Sequence, residues 1–109
     1  MTRPSLGALR HRLTVESRIG EADGGGGIAV AWTPVATVWG AVRSLSGSEA
    51  FLAESLRGVV THEVIIRKRS DVVPAMRLRL GARILDIQAV LGRDEPEPYL
   101  RLLVEERNQ

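Results

Sequence analysis

The side chains that most often carry acid–base chemistry are few and scattered in this sequence. The two histidines, His11 and His62, each fall in the middle of an alternating strand pattern, which indicates a half-buried polar contact rather than a catalyst. Glu95 and Glu97 flank Pro96 in a polar turn, which favours solvated charge over a catalytic carboxylate pair. No catalytic residue is predicted, and the chain is expected not to be an enzyme.

The glycine and serine stretches also lack the residues that binding and catalytic motifs require. No Gly-Lys-Ser/Thr follows the glycine run at 24–27, and no strand-to-helix junction surrounds it, so it is not expected to hold phosphate. Ser48 lacks the Gly-x-Ser-x-Gly spacing of a nucleophile elbow. The chain contains no cysteine and no cluster of His or Asp, which argues against a metal site. We expect no metal and no cofactor.

The length and composition predict one ordinary globular domain over residues 1–109. A chain of 109 residues with 44% hydrophobic residues can bury one core. No apolar run approaches the roughly 18 residues of a membrane span, and the N-terminus does not resemble a signal peptide. The default expectation is therefore a cytoplasmic product with no membrane partner.

The charge is close to balance, although almost all of the basic residues are arginine. Fifteen basic residues face thirteen acidic ones, for a net charge of +2, and Lys68 is the single lysine. The arginines could line a surface that meets phosphate, or could reflect a GC-rich coding sequence that favours Arg, Ala and Gly. A net charge this small does not require a nucleic-acid partner.

The segments that would position a functional site are predicted to be mainly β-strands, because apolar and polar residues alternate in them with a period of two. The alternating segments are 9–18, a stretch with Ile28, Val30 and Trp32, and then 35–45, 59–69, 76–80, 83–90 and 99–106. Pro34 cannot donate a ladder hydrogen bond, so it is predicted to mark a strand break or an edge. Gly81 and Ala82 predict a tight hairpin, and residues 92–98 a polar turn.

Two segments are predicted to leave the sheet. The first is a long loop at 20–28, which contains four consecutive glycines. The second is an inserted segment at 46–58, where Ser46 and Glu49 have the spacing of a helix capping box and Gly58 sits where a helix would stop. The fold prediction is all-β: a small antiparallel barrel of about six or seven strands with one short helix or ordered insertion.

The predicted core follows from the inward positions of the alternating segments. Both tryptophans are assigned to it, and Trp39 is expected to be a buried anchor because its strand is rich in valine. The complete set of core predictions is Leu13, Val15, Trp32, Val38, Trp39, Val42, Val64, Ile66, Leu78, Ile87, Leu102 and Val104.

A small nucleic-acid-binding barrel is the main alternative from another functional class. Proteins that bind single strands stack bases on exposed aromatic residues along a basic groove. Aromatic residues make up only 4% of this chain. The basic candidates are the cluster Arg67, Lys68 and Arg69 and the pair Arg77 and Arg79, but the pattern favours the solvated face of two strands over a basic stripe.

The order of motifs along the chain resembles the phage head–tail joining family, whose members are also called head-closure or stopper proteins. The resemblance rests on Leu9-Arg10-His11-Arg12-Leu13, the Trp32-x6-Trp39 pair, Leu45-Ser46-Gly47-Ser48-Glu49, the strand Thr61-His62-Glu63-Val64-Ile65-Ile66-Arg67, and Gly81-Ala82-Arg83-Ile84-Leu85-Asp86-Ile87-Gln88. It extends from Leu9 to about Glu105.

The resemblance implies a structural subunit of a tailed phage, a prophage or a phage-like particle such as a gene transfer agent. Such a subunit forms a homo-oligomeric ring, a hexamer or dodecamer, between the portal and adaptor proteins and the tail terminator or tail proteins. DNA passes through the ring and makes transient contact with it. After assembly in the host cytoplasm the protein would belong to the particle, at the head–tail interface. The expected interface or lumen residues are Gly24, Gly25, Gly26, Gly27, Ser48, Glu49, Phe51 and Arg57, with Arg43 as a further lumen candidate.

Overall fold

The computed structural model describes residues 9–22, 28–49 and 59–107. Six antiparallel strands account for most of this part of the chain, and residues 47–49 are helical. The strands are β1 (His11–Ala22), β2 (Ile28–Ser44), β3 (His62–Arg67), β4 (Arg77–Leu80), β5 (Arg83–Leu91) and β6 (Tyr99–Arg107).

The strands close into a barrel in the order β1-β2-β3-β6-β5-β4. A short ladder between β1 and β4 completes the closure, with Thr14, Val15 and Glu16 opposite Arg79, Leu78 and Arg77. Because the barrel closes, each of its described strands has a neighbouring strand on both sides. The barrel itself therefore presents no open strand edge to which another chain could bind. The predicted all-β fold, a small antiparallel barrel with a short helix, is confirmed.

The interior of the barrel is filled by aliphatic side chains from alternating positions of all six strands. Nine of the predicted core residues are buried, and Val42 is partly buried against them. The buried cluster consists of Leu13, Val15, Val38, Val64, Ile66, Val72, Leu78, Leu85, Ile87, Leu100, Leu102 and Val104. Val64, Ile66 and Ile87 therefore lie where the sequence placed them.

Trp39 does not belong to this core, and its predicted burial was wrong. Its side chain is 57% exposed on the outer surface of β2. Val38 and Gly40 on either side of it face inward, so strand alternation turns Trp39 outward. Gly40 fits this inward position because a Cβ there would lie 2.7 Å from Cδ1 of Leu13. The glycine, not the tryptophan, fills the crowded interior site.

Pro34 does not break the second strand, which continues from Ile28 to Ser44. A β-bulge at Val35 lets Glu16 pair with Pro34 and Val15 with Ala36. At Pro34 the strand pairs only with β1, because β3 joins β2 from Gly40 onward. The missing N–H of Pro34 therefore falls on an edge, as one of the two sequence readings expected.

The first two strands extend past the barrel as a two-stranded arm. They pair continuously as far as Ala22 and Ile28, whereas β4 contacts β1 only at residues 14–16. The predicted loop at 20–28 is thus shorter than expected, because residues 20–22 and 28 belong to strands. An isolated two-stranded ribbon is only marginally stable in water.

The hairpin between β4 and β5 forms as predicted, with Leu80 paired to Arg83 across Gly81 and Ala82. Gly81 has a positive φ of 60°, which a residue without Cβ adopts at little cost. Farther along β5, a bulge between Ile87 and Ala89 changes which side chains face inward. Ala89 consequently packs on the outside with Val60 and Leu103 in a second small cluster.

Candidate functional site

The inserted segment begins with the capping box that the sequence predicted. The Glu49 amide donates to Oγ of Ser46 at 3.3 Å, and the Ser46 amide donates to Oε1 of Glu49 at 3.0 Å. This reciprocal pair satisfies two backbone donors at a helix start. The capping box fixes the direction in which the chain leaves β2.

A chain of ion pairs connects this helix start to the barrel wall. The two terminal nitrogens of Arg43, Nη1 and Nη2, donate to the Glu49 carboxylate at 3.0 Å, and Nη2 also contacts Oε1 of Glu63 at 3.3 Å. On its other side Glu63 accepts from Nε of Arg101 at 2.7 Å. Glu63 is only 5% exposed, and a buried charge is costly unless it is paired. The two arginines from neighbouring strands provide that pairing. The network ties β2, β3, β6 and the insertion together.

The Glu49 carboxylate is held in its charged form. The hydrogen bonds from Arg43, followed by those from Ser46, lower the pKa of Glu49 to about 2 from 4.5. Because the pKa is lowered, the ion pair and capping box persist as pH falls below 4.5 and are lost only near pH 2.

We therefore expect the Glu49 carboxyl carbon to titrate with a midpoint near 2 in an NMR pH series. Replacing Arg43 with glutamine should move this midpoint upward, because the largest cause of the shift is removed. Arg69→Gln is a matched control, since Arg69 pairs with Asp71 instead. An ordinary midpoint for Glu49 in the unmodified protein would show that the base of the insertion is not ordered in this way.

His62 lies in a polar cluster at one end of the barrel. Its Nδ1 is 2.8 Å from Oγ1 of Thr61, and its Nε2 is 3.2 Å from Oγ of Ser44 and 3.5 Å from Oε1 of Glu106. The same nitrogen thus faces both the hydroxyl and the carboxylate. A Ser-His-acid triad requires these partners on opposite ring nitrogens, so the cluster cannot activate Ser44 in that way.

The remaining contacts of this cluster are structural. Arg83 donates to both oxygens of Glu106 at 2.7 and 2.8 Å, and this pairing lowers the pKa of Glu106. Oγ1 of Thr61, the residue before β3, accepts from the Glu106 amide of β6 at 2.8 Å. These bonds connect β3, β5 and β6 at the end of the barrel from which β3 begins.

The second tryptophan forms part of a compact charged group at the base of the arm. Arg77 donates from Nε to Oε1 of Glu16 at 2.6 Å, while its guanidinium lies 4.2 Å from the ring centroid of Trp32. Glu16 is only 7% exposed and also faces Nε of Arg79 at 3.7 Å. Trp32 is half-buried under Arg77 and is not part of the barrel core, which corrects its predicted placement.

The basic residues that suggested a nucleic-acid stripe are largely committed to carboxylates or carbonyls. Arg77 and Arg79 face Glu16, and Arg69 pairs with both oxygens of Asp71 at 2.9 Å. Lys68 donates to the backbone carbonyl of Glu95. Arg67 is different: among the described residues it has no hydrogen bond or ion pair. The structure therefore does not produce a continuous run of free cations.

Arg67 belongs to an exposed group on the outer surface of the barrel, which we call the Trp39 patch and define as Arg12, Trp39 and Arg67. Arg12 pairs with Trp39 across β1 and β2. Arg67 adjoins Trp39 across β2 and β3, one position beyond the pair Gly40–Ile66. Within the described ranges, neither arginine has a polar partner. The alternation of side chains along β2 could have revealed this patch. Val38 and Val42 were already predicted to face inward, so Trp39, an odd number of residues from each, had to face outward.

The sequence-predicted interface residues fall only partly within the described chain. Ser48 is exposed and Glu49 is in the capping box. The other candidates lie outside the described residues: Gly24, Gly25, Gly26, Gly27, Phe51 and Arg57. Arg43 is described, but its guanidinium is already occupied by two carboxylates.

The described residues include no group of three or more His, Asp or Glu placed to hold a metal ion. The same residues contain no helix long and apolar enough to cross a membrane.

Comparison with known protein families shows a match that spans nearly the whole chain. The family described as phage head completion protein matches residues 4–107. No curated protein matches the sequence significantly.

The solved structures that share the fold include two that match over almost their full length. A protein of Shigella flexneri 2a known from a solution structure is 26% identical, with a TM-score of 0.77, and the match covers 97% of this chain and 99% of that one. A chain in the virion of a native gene transfer agent particle is 32% identical, with a TM-score of 0.69, and the match covers 96% and 98%.

Proposed function

Because this chain belongs to the phage head completion protein family, we propose that it is a head–tail connector subunit, of the head-closure or stopper kind. Its role is structural, in a phage or phage-like particle. In the proposal, copies of one barrel domain over residues 1–109 form a ring between the portal or adaptor proteins and the tail. DNA passes through the centre of this ring.

The observation that carries the proposal is the likeness to a chain in an assembled gene transfer agent virion. That likeness covers 96% of this chain at 32% identity, so it involves the whole barrel and not a shared fragment. A gene transfer agent or a related phage is therefore the kind of particle to which we assign the chain. The portal, adaptor and tail proteins are its proposed partners.

The arm formed by β1 and β2 supports assembly with neighbours. Beyond residue 17 the two strands pair only with each other among the described elements, so their outer edges are open. Open strand edges bind other chains through main-chain hydrogen bonds. We assign the arm and the segment at 46–58 to contacts with adjacent subunits or adjoining rings.

Contact with DNA is assigned to the inserted segment, with Arg57 as the candidate lumen residue. Arg43 is a weaker candidate than the sequence suggested, because binding DNA would compete with Glu49 and Glu63 for its guanidinium. A channel that gripped every phosphate would stall ejection, so only weak backbone contact suits this role.

Deleting the gene in a strain that produces the particle tests this function. We expect electron microscopy to show heads and tails that do not join, because the connecting ring is missing. A plasmid copy of the gene should restore tailed particles. A deletion strain that makes tailed, DNA-filled particles in normal number would refute the proposal.

The alternative is a nucleic-acid-binding barrel, and the exposure of Trp39 gives it a specific basis. A tryptophan between two arginines is a surface on which a base could stack. Tight binding of labelled DNA, in the nanomolar range and steeply weakened by salt, would favour it. The connector predicts no more than non-specific affinity, about 10⁻⁴–10⁻⁶ M at physiological salt.

A further inference from the structure

Most of the described arginines are paired with carboxylates of the same chain, and two of the groups left without such a pair have opposite sign. Arginines 43, 69, 77, 79, 83, 101 and 107 each face a carboxylate within 4 Å. The Trp39 patch contributes two arginines with no such partner among the described residues. Asp94 and Glu95, in the turn between β5 and β6, are exposed carboxylates that likewise have no side-chain partner within the described part of the chain.

The turn that carries these carboxylates is held in a fixed shape. The Lys68 amide donates to the Pro98 carbonyl at 2.9 Å, and Nζ of Lys68 donates to the Glu95 carbonyl. Within the turn, the Glu95 amide donates to Gly92 at 3.3 Å. Pro96 and Pro98 are exposed and further restrict the backbone. A rigid turn loses little conformational entropy when it binds.

The chemistry of the turn complements that of the Trp39 patch. Proline-containing segments dock on aromatic side chains because their backbone is already ordered, and in this turn Pro96 lies between Glu95 and Glu97. Arginines beside the tryptophan would meet the carboxylates of Asp94 and Glu95. Tryptophan and arginine are also the residue types that most often dominate the energy of protein interfaces.

We propose that the Trp39 patch binds the 92–98 turn of a second copy of this chain. The strand order β1-β2-β3-β6-β5-β4 centres the patch on β2 and places the turn between β5 and β6. They are therefore different surfaces, although Arg67 at one side of the patch pairs with Tyr99 at the end of the turn. Two different surfaces joined head to tail form a heterologous contact, which closes into a ring when the rotation permits. This inference adds a specific contact between subunits to the proposed ring. It rests on the proposed function only for the closure of that contact into a ring.

A second copy fits the patch better than a nucleic acid does. Single-strand binders use several aromatic side chains and many cations, whereas this patch has one tryptophan and two arginines. The chain has a net charge of only +2, and its own acidic turn supplies the complementary charge. The patch carries two arginines, and the turn carries three carboxylates and the single cation Arg93, so the two surfaces have opposite net charge.

The absence of cysteine allows the contact to be tested by cross-linking of the full-length protein. Thr37→Cys puts a thiol on the exposed face of β2 beside Trp39, and Arg93→Cys puts one in the turn while leaving Asp94 and Glu95 intact. With tags of different mass on the two variants, a short bis-maleimide should give mainly the mixed dimer. Ala82→Cys replaces Thr37→Cys in the matched control, since Ala82 is an exposed residue in another turn.

We expect the Thr37–Arg93 cysteine pair to exceed the control pair severalfold, and Trp39→Ala in the Thr37→Cys chain to reduce the yield roughly tenfold. Equal yields for the two pairs would overturn the contact, as would a preference for Thr37–Thr37 dimers. Loss of the cross-link on adding oligothymidylate, with quenching of tryptophan fluorescence that Trp39→Ala abolishes, would assign the patch to nucleic acid and overturn the proposal.

The same cross-linking reaction can test the contact between two subunits separately from the closure of a ring. A chain carrying both Thr37→Cys and Arg93→Cys should give a ladder of products that ends at one size if the contact closes. A ladder without a limit would leave the contact standing and refute the ring. Rings seen by electron microscopy in a protein that gives no mixed dimer would refute the contact and leave the ring standing.

Discussion

Replacing Leu102 with alanine should lower the free energy of unfolding by roughly 2–5 kcal/mol. Leu102 is fully buried, and in the barrel it lies between Val64 of β3 and Val90 of β5. Its truncation leaves a cavity that strands on both sides must partly collapse to fill. Since small domains are stable by about 5–15 kcal/mol, the loss is a large share of the total, and urea unfolding will measure it.

Trp39→Ala is the informative comparison for this variant. Because the Trp39 side chain is 57% exposed, we expect its removal to cost less than about 1 kcal/mol in the isolated chain. If Trp39 were buried, as the sequence analysis predicted, Trp39→Ala would lower the free energy of unfolding more than Leu102→Ala. If Trp39→Ala unfolds the protein while Leu102→Ala does not, the alternation of β2 is opposite to that described.

Replacing Arg77 with methionine should cost roughly 3–5 kcal/mol, because it leaves the Glu16 charge without its main partner. The side chains of both residues are largely buried, at 11% and 9% exposure. The change also removes the cation that lies over Trp32, at the point where the arm joins the barrel. Thermal or urea unfolding of the purified variant will give the size of the loss.

Arg79→Met is the matched control, since Arg79 contacts the same carboxylate from a side chain that is 48% exposed. Exposed ion pairs contribute little, so the control should lose no more than about 1 kcal/mol. Combining Arg77→Met with Glu16→Leu should recover much of the stability, because no unpaired charge remains. Equal and small effects for Arg77→Met and Arg79→Met would show that Glu16 is solvated.

The local pattern of the sequence determined the strands and most of the barrel interior. Alternation of apolar and polar residues located five of the six strands with only small errors at their ends, because the period of two is a property of the backbone itself. The tight turn at Gly81 and the capping box at Ser46 were likewise local, since each depends on residues three or fewer apart.

Strand alternation also indicated that Trp39 faces outward, although its residue type suggested that it would be buried. Val38 and Val42 were assigned inward, and Trp39 differs from both by an odd number of residues. Its size and apolar character suggested burial, but the interior position beside it is taken by Gly40 against Leu13. Parity is the stronger constraint, because one residue of shift turns every side chain of a strand to the other face.

Only the tertiary structure decided which charged groups meet. Glu63 lies between Arg43 and Arg101, and Glu16 beside Arg77, through strand pairings that bring together residues 20 to 61 positions apart. The bulge at Val35 and the pairing of β1 with β4 are also long-range features, set by closure of the barrel. No short-range pattern encodes such contacts. The sequence determined that this chain would form a β-barrel, whereas barrel closure determined which of the described arginines pair with carboxylates.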